Sequence, residues 1–391
     1  MRNIYGLHPT VIFLGLASLF NDLASEIIYP LLPLFLTNYL GASVSFLGLV
    51  EGIAETTSSI LKLYSGYISD KIGKRRFLTA AGYIISNIVR PLMGSVTSPL
   101  SVLILRFTDR VGKGIRTSPR DAIIASVTDT HNRGKAFGFH RSMDNLGALL
   151  GSFVGFVLLS LFGLDIRTIF ILVLIPGVLT IVSVLLGIRS AAREVGGNNK
   201  ELTLTLKPFD KNFRRYLLVV AIFTLGNSSD AFLLLKAKEC GFSDKYIPLL
   251  WMILSIVRTL FSVPAGMISD KINRKKVIIF GWVVYAASYI GFAYSEKIWH
   301  IWVLFCIYGF YYALTEGVEK AFVADLVREE LRGTAYGMYN FIVGILALPS
   351  SLLCGLLWQH HGPVYALGLG ALLSLFSSVL LVSVKNAKDK S

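Results

Sequence analysis

Two eleven-residue segments of the chain are near copies and begin 200 residues apart. Residues 66–76 read GYISDKIGKRR and residues 266–276 read GMISDKINRKK, so that six of the eleven positions are identical and the last three are basic in both. Each segment lies between two apolar runs, which makes it a short hydrophilic loop. A loop repeated at half the chain length predicts two homologous halves, each built from hydrophobic segments.

The composition independently indicates a membrane protein. Apolar residues make up 54% of the chain and charged residues 16%, and the mean hydropathy is +0.63; soluble domains carry fewer apolar and more charged residues. Apolar runs of about 20 residues are long enough to cross a bilayer as helices. They predict twelve transmembrane spans at approximately 11–36, 44–65, 77–96, 100–122, 135–160, 168–188, 216–238, 247–267, 277–294, 299–323, 334–358 and 364–384.

The predicted fold is therefore an all-α membrane protein with two pseudo-symmetric six-helix bundles. Residues 1–190 form the first bundle, 191–212 a cytoplasmic linker and 213–391 the second bundle. The first apolar run is too long for a cleavable signal peptide and contains Asn21, Asp22 and Glu26, so it is expected to be a functional span. The lipid bilayer is thus an expected partner.

The net charge of +14 is distributed as a topology signal. Basic residues concentrate in both repeated loops, in the central connection at 189–215 and in the C-terminal tail. With twelve spans, all four regions fall on one side together with both termini. The positive-inside rule makes that side cytoplasmic and predicts a multi-pass protein of the inner (cytoplasmic) membrane. Nucleic-acid binding is not expected, because the excess charge is explained by topology.

Cofactor and enzyme chemistry have no sequence signal. Three cysteines (Cys240, Cys306 and Cys354) show neither a pairing pattern nor metal-ligand spacing, so neither a metal nor a cofactor is expected. A phosphate-binding loop for ATP is not found, nor is a nucleophile with a neighbouring base. The protein is therefore not expected to be an enzyme, and an ion gradient would have to supply energy for any transport.

The repeated loop resembles the hallmark loop between the second and third spans of the major facilitator superfamily. A second internal match supports the resemblance, since RGKAFG at 133–138 precedes span five and RGTAYG at 332–337 precedes span eleven. Twelve spans and a central linker extend it over nearly the whole chain. The resemblance implies secondary transport by alternating access, in which the two halves rock about a midplane site.

The resemblance also implies that the repeated loops form a cytoplasmic gate. Gly66 permits close approach of a helix, and Gly73 permits a tight turn. In the second copy Asn273 replaces Gly73, and asparagine also tolerates left-handed turns. The alternative is that these residues only anchor the topology. The predicted gating residues are Gly66, Asp70, Gly73, Arg75, Gly266 and Asp270.

Two further motifs match the family with departures. Arg110-Val-Gly-Lys113-Gly114 resembles the span-four motif whose arginine is linked to proton coupling, although Lys113 stands where that motif has Gln. Gly147, Gly151 and Gly155 repeat every four residues in span five, which lets two helices approach closely. That spacing resembles the antiporter motif, but Ser152 replaces its proline. The direction of transport is left open.

Polar side chains inside span one are candidates for function, because ionisable groups in hydrocarbon are costly unless paired or hydrated. Asn21, Asp22, Ser25 and Glu26 form one stripe of i,i+4 neighbours. Two carboxylates one turn apart repel, so one of them can hold a proton at neutral pH. Asp22 and Glu26 are therefore predicted to couple transport to protons, and the resemblance of the span-four motif implies the same role for Arg110. The alternative is that the carboxylates form fixed ion pairs with cations on spans two or four.

Span seven, the first of the second half, carries a similar polar patch at 227–230 (NSSD). Two such patches are expected to face a cavity at the membrane midplane. Asn21, Ser25, Asn227 and Asp230 are therefore predicted to contact the substrate.

Span four is the most basic span, with Arg106, Arg110, Lys113, Arg116 and Arg120, whereas span ten carries Glu316 and Glu319. One interpretation is charge pairing between spans, or with Glu51 and Glu55 of span two. The other is a cationic wall that recognises a carboxylate or phosphate, to which arginine is suited. Arg116 and Glu316 are predicted to be substrate contacts.

In span five, His140 shares a helix face with Met143 and Asp144. This arrangement suits a substrate contact, a proton relay or a soft metal site, with ordinary packing as the alternative.

Together these features predict a secondary active transporter of a small organic solute, coupled to protons and acting as a monomer. The internal basic residues favour an anionic solute. Alternatives are a multidrug or metabolite exporter, an importer of a metal chelate such as a siderophore, a sodium-coupled carrier, and a membrane sensor that does not transport.

Overall fold

The computed structural model describes residues 7–129, 132–189 and 206–385, without the side chains of Asp70 and Glu330. Nearly all of these residues are helical. Within these ranges, ten helices are long and apolar enough to cross a membrane. Arg75–Leu92 and Pro99–Ser126 are 18 and 28 residues long but carry more charge, and they complete the twelve predicted spans. Helices suit this setting because lipid offers no partners to backbone groups.

The spans of the first half are labelled α1 to α6, with the sixth divided in two. They are α1 Pro9–Ile28, α2 Val44–Ile72, α3 Arg75–Leu92, α4 Pro99–Ser126, α5 Arg133–Ser160, α6a Ile166–Leu172 and α6b Leu174–Arg189. Beyond α1 the chain continues to Tyr39 through a 3₁₀ turn, one helical turn and a π-helical turn. Pro30 and Pro33 lie in this irregular stretch, as expected for residues that lack a backbone donor.

The spans of the second half are labelled α7 to α12, with the seventh divided in two. They are α7a Lys211–Gly226, α7b Ala231–Glu239, α8 Ile247–Lys271, α9 Arg274–Ala293, α10 Ile298–Leu326, α11 Arg332–His361 and α12 Pro363–Val382. Short 3₁₀ turns at Met93–Ser95, Asp244–Tyr246 and Glu329–Leu331 complete the described elements. The break between α7a and α7b falls on the polar patch at 227–230, for which the apolar run predicted a continuous helix.

The chain divides into two compact units. Unit 1 comprises Met1–Gly41 with Thr57–Leu202, and unit 2 comprises Ala42–Thr56 with Thr203–Ser391. The first part of α2 therefore groups with unit 2. Most of the predicted linker at 191–212 lies outside the described residues, and the predicted domain limits stay a prediction.

Glycines set the helix crossings of unit 1. A Cβ placed on Gly82 of α3 would lie 2.5 Å from the carbonyl oxygen of Gly112 on α4. On α5, a Cβ at Gly147 or Gly151 would lie 2.3 or 2.6 Å from a carbonyl oxygen of α1. These crossings have no room for a side chain, as the four-residue spacing on span five predicts. They bring the polar faces of α1, α3, α4 and α5 close together.

The two repeated loops differ in conformation. Gly73 lies between α2 and α3 with φ 71°, a left-handed conformation that suits glycine. Asn273 has φ −98° and ψ 122°, so the second copy does not use the left-handed conformation that asparagine tolerates. Its side chain instead accepts a hydrogen bond from the backbone of Lys275 and caps α9. In the second copy, the chain therefore turns between α8 and α9 with Asn273 as a helix cap instead of a glycine with positive φ.

The glycines that precede the two loops differ as well. A Cβ on Gly66 would lie 3.3 Å from Ser118 Cβ, so α2 and α4 approach closely there. Gly266 has open space in the corresponding direction. The predicted role of a close helix approach therefore has structural support in the first copy only.

Candidate functional site

Unit 1 contains a cavity of about 440 Å³ between α1, α2, α3, α4 and α5. Six of the predicted site residues line it together: Asn21, Asp22, Ser25, Glu26, Arg116 and His140. The other lining residues are Ser18, Lys62, Arg90, Lys113, Thr117, Arg120, Asp121, Phe137, Arg141 and Asp144. Six lining side chains are cationic and four are carboxylates, so the cavity carries a positive excess.

A buried ion cluster centred on Asp109 joins α3 to α4. Arg90 Nε donates to Asp109 Oδ1 at 2.9 Å, and Arg110 Nη2 and Arg106 Nη1 lie 3.1 and 3.8 Å from Oδ2. All four side chains are buried. Three cations around one carboxylate agree with the pairing interpretation for Arg106 and Arg110, and they place the predicted coupling residue Arg110 in this cluster.

Arg90 also connects the cluster to the polar stripe of α1. Its Nη1 donates to the backbone oxygen of Asn21 at 2.9 Å and to Asn21 Oδ1 at 3.0 Å. Asn21 Nδ2 in turn donates to Asp22 Oδ1 at 2.9 Å. Sequence reasoning missed Arg90, because it lies far from the two arginines that begin α3 and belongs to no repeat or charge stripe.

Arg116 faces the cavity from α4 and is 3% exposed. Its Nη1 donates to Ser86 Oγ at 2.8 Å, and its guanidinium lies 4.5 Å from the centroid of the Tyr83 ring. Its buried Nε has no hydrogen-bond partner among the described residues. The guanidinium is therefore held by neutral groups, through a hydrogen bond and a cation–π contact.

His140 and Asp144 form a second polar group on α5. His140 Nδ1 lies 3.6 Å from Asp144 Oδ2, and Ser18 of α1 donates to the other carboxylate oxygen. Arg141 Nη1 lies 4.0 Å from Asp144 as well. His140 Nε2 is buried and has no partner in the part of the chain that the structure describes. The pair therefore offers one unsatisfied nitrogen beside the cavity.

Unit 2 surrounds the break in span seven with tyrosine hydroxyls. Tyr308 and Tyr312 of α10 donate to the two oxygens of Asp230 at 2.6 and 2.7 Å. Asn227 Nδ2 donates to Tyr311 at 3.3 Å. On α9, the Tyr285 hydroxyl donates to the backbone oxygen of Gly226 at 2.9 Å, and the Tyr289 hydroxyl lies 3.4 Å from Ser228 Oγ. We call these five residues the tyrosine clamp: Tyr285, Tyr289, Tyr308, Tyr311 and Tyr312.

The clamp explains why the helix opens at this position. Backbone groups of an interrupted helix need other partners in a membrane, and Gly226 finds one in Tyr285. Asn227 and Asp230, the predicted substrate contacts of span seven, both lie at this break. Their contact with a substrate stays a prediction. The hydroxyls of the clamp come from both α9 and α10.

The acidic residues of span ten lie on α10. Glu319 is buried and accepts hydrogen bonds from Trp282 Nε1 at 2.8 Å and from Tyr339 at 2.5 Å. Glu316, the predicted substrate contact, lies about one turn earlier and is half-buried.

The predicted gating residues lie at the repeated loops. Asp270 accepts from Arg274 Nη2 at 2.8 Å, and Arg274 Nη1 lies 2.5 Å from Asp325 Oδ2, which links α8 and α10 through α9. Arg75 begins α3. The Asp70 side chain falls outside the described residues, so its contacts stay a prediction.

Comparisons with known proteins agree on one family. The profile of the Major Facilitator Superfamily matches residues 14–348 and 231–391. An uncharacterized MFS-type transporter of Methanocaldococcus jannaschii is 36% identical over 386 residues, which cover 97% of this chain and 95% of that protein. The quinolone resistance protein NorA of Staphylococcus aureus is 30% identical over 146 residues, 37% of this chain and 34% of that protein.

Solved structures share the fold at low sequence identity. The nucleoside transporter NupG has a TM-score of 0.75 at 16% identity and covers 96% of this chain and 98% of its own. A bacterial homologue of the human lysosomal transporter Spinster has a TM-score of 0.72 at 15% identity, covering 96% and 94%. With its family profile, a relative matched over nearly its full length and twelve helical spans, this chain belongs to the Major Facilitator Superfamily of multi-pass membrane transporters.

Proposed function

We propose that the protein moves a small organic anion across the cytoplasmic membrane by alternating access, driven by protons. The observation that carries the proposal is the charge of the unit 1 cavity, where six cationic side chains face four carboxylates. A volume of about 440 Å³ suits a small molecule. Charged side chains on membrane-spanning helices are costly unless they bind a solute or form a structural pair.

Arg116 is the proposed anion contact. Its guanidinium is desolvated and its position is held by Ser86 and Tyr83, so the site is organised before a solute arrives. A carboxylate or phosphate accepts charge-assisted hydrogen bonds from arginine, and these are stronger than neutral ones. His140, with its unsatisfied Nε2, and the amide of Asn21 supply polar contacts beside it. Asn227, Asp230 and Glu316 are the proposed contacts from unit 2.

Proton coupling is assigned to Asp22 or Glu26. Both line the same cavity from adjacent turns of α1. Two carboxylates this close favour states in which one is protonated, so the charge of the cavity changes with the coupling ion. Arg110 does not line the cavity, and any contribution to coupling would pass through Asp109, to which Arg90 also binds.

The repeated loops are the proposed cytoplasmic gate, with both termini on the same side of the inner membrane. The ion pairs of Arg274 with Asp270 and Asp325 support this role in the second copy. Such contacts can form in one state of the transporter and break in the other. A monomer with residues 1–190 and 213–391 as the moving halves completes the proposal.

Transport in proteoliposomes tests the function. We expect a panel of radiolabelled organic anions to contain a solute whose flux follows an imposed pH gradient and stops when a protonophore collapses it. Arg116→Gln should weaken the apparent affinity about tenfold or more, because a charge-assisted hydrogen bond is lost. Arg328→Gln, at an exposed residue between α10 and α11, is the matched control. Wild-type affinity in Arg116→Gln would contradict the anion site, and flux that follows sodium would contradict proton coupling.

A multidrug exporter is the second candidate, favoured by the partial match to the quinolone resistance protein. The same liposomes distinguish it, since efflux of apolar cationic drugs without dependence on Arg116 would support export of drugs. Ligand binding without flux would instead indicate a sensor.

A further inference from the structure

Ten side chains that line the unit 1 cavity are formally charged, and most are already engaged. Arg90 binds Asp109, Arg120 binds Asp121, and Asp144 has His140 and Arg141 beside it. Lys62, Lys113 and Glu26 have further contacts of their own. Arg116 and Asp22 differ from these, because the hydrogen bonds found for them among the described residues are made with neutral groups only.

The partners of these two residues are uncharged amides, hydroxyls and rings. Arg116 is bound by Ser86 Oγ and the Tyr83 ring, and its buried Nε has no acceptor within the described chain. Asp22 accepts one hydrogen bond from Asn21 Nδ2 at 2.9 Å. Lys113 and Arg116 also act electrostatically on Asp22, but neither is hydrogen-bonded to it among the described residues. A charge in a membrane interior without a directly bonded ionic partner is costly, and a buried donor without an acceptor adds a further desolvation cost. A solute can therefore supply a hydrogen-bond acceptor to Arg116 on α4 and a donor to Asp22 on α1.

We infer that the transported solute is a zwitterion, with its carboxylate or phosphate on Arg116 and a protonated amine on Asp22. This inference rests on the proposed function and specifies the solute class of that site. A monoanion would compensate Arg116 and leave Asp22 as it is, whereas a zwitterion compensates both. The assignment also separates the two carboxylates of α1: Asp22 binds the ammonium group, and Glu26 is left for the coupling proton.

Matched probes test the inference on the purified full-length protein. The probes are α- and ω-amino acids, including aromatic ones, each with its N-acetyl derivative, which keeps the anion, and its methyl ester, which keeps the cation. Binding is measured by ligand-dependent thermal stabilisation. We expect at least one free amino acid to bind about tenfold to a hundredfold more tightly than both of its derivatives, since each derivative loses one charge-assisted contact. Equal binding of an N-acetyl derivative, or stabilisation by none of the probes, would overturn the inference.

Two variants separate the two contacts. Asp22→Asn should abolish the preference for the free amine over the N-acetyl form and keep the preference for the free carboxylate over the ester. Arg116→Gln should abolish the preference for the free carboxylate over the ester and keep the preference for the free amine over the N-acetyl form. General damage to the protein would weaken all probes alike, so this crossed pattern is specific. Asp129→Asn and Arg328→Gln, both at exposed positions, are the matched controls and should keep both preferences.

The outcomes also distinguish this inference from the function on which it rests. Organic monoanions that bind through Arg116, with no effect of Asp22→Asn, would overturn the zwitterion and leave anion transport standing. If Arg116→Gln changes neither binding nor flux, both proposals fail. Should either variant fail to fold, the selectivity of the wild-type protein decides, because the inference requires both derivatives of a bound amino acid to lose affinity.

Discussion

Carboxylates inside the membrane fall into two kinds at the scale of the residue. Asp109 is surrounded by Arg90, Arg106 and Arg110, so its charge is fixed by several cations. Asp230 and Glu319 are held by hydroxyl and indole donors instead. The Asp109 cluster suits a permanent structural charge, because removing the carboxylate would leave its buried arginines without a compensating charge. The second arrangement satisfies the carboxylate oxygens with neutral hydrogen-bond donors.

Asp109→Asn should therefore destabilise the protein strongly. It leaves three buried guanidinium groups near a neutral amide, and breaking a buried pair costs about 3–5 kcal/mol. The matched control is Asp244→Asn, whose partner Lys238 lies in a partly exposed pair, where the expected loss is about 0–1 kcal/mol. Reversible unfolding in detergent measures both. Equal stability losses would show that the Asp109 cluster is not structurally decisive.

Helix crossings operate at the scale of the element. Gly147→Ala should destabilise unit 1 by about 1–3 kcal/mol, because its Cβ would overlap the backbone of α1. Gly138→Ala on the same helix meets open space, and it should be neutral or slightly stabilising, since alanine favours helix more than glycine. Thermal unfolding of the two variants in detergent compares them directly. An unchanged stability of Gly147→Ala would mean that α5 and α1 can move apart at no cost in the free energy of unfolding.

The tyrosine clamp also acts at the scale of the element, because it surrounds the break between α7a and α7b. Tyr308→Phe removes one of the two hydroxyl donors of Asp230 and keeps the ring packing. We expect faster amide hydrogen exchange at residues 227–231, because the broken segment loses a partner for its buried carboxylate. Tyr365→Phe, at a tyrosine 65% exposed, is the control and should leave the exchange unchanged. Unchanged exchange in Tyr308→Phe would show that this hydroxyl does not hold the segment.

The proposed alternating access belongs to the scale of the whole molecule, and we propose that the repeated loops control it. Each loop is short: Gly73 and Lys74 separate α2 from α3, and Ile272 and Asn273 separate α8 from α9. Because only two residues join the helices, a movement of α2 or α8 is expected to move α3 or α9 with it. The second loop carries the ion pairs of Arg274, whereas the first carries Asp70 and the basic residues that follow it.

Arg274→Gln is expected to shift the conformational equilibrium. It removes contacts with Asp270 and Asp325, and partly exposed pairs contribute up to about 1 kcal/mol, so the populations should change by roughly fivefold. The readout is the labelling rate of Asn273→Cys by a membrane-impermeant thiol reagent applied from the cytoplasmic side. Lys245→Gln, on the 3₁₀ turn before α8, is the control. An unchanged labelling rate in Arg274→Gln would leave the loop with an anchoring role alone.

Much of the fold could be predicted because the bilayer restricts the choices. A run of about 20 apolar residues has few alternatives to a helix in lipid, so twelve runs predicted twelve spans. The polar stripe of α1, Arg116 and His140 could be predicted as candidates, because polar and charged side chains inside a membrane span are costly unless they have a function or a partner. The structure places them around one cavity. Arg90 could not, because its role depends on the side chain of Asp109 nineteen residues later.

The amino-acid sequence by itself determined the class of molecule: its spans, its internal repeat and the family that these imply. These are properties of local hydropathy and of loops that the chain carries twice. Only the tertiary structure decided which charges pair, since pairing depends on how glycine crossings bring α3 to α4 and α1 to α5. It also decided that span seven opens at 227–229, because the hydroxyls that bind the opened segment come from α9, α10 and α11. Contacts between distant segments leave no periodic signal along a single chain.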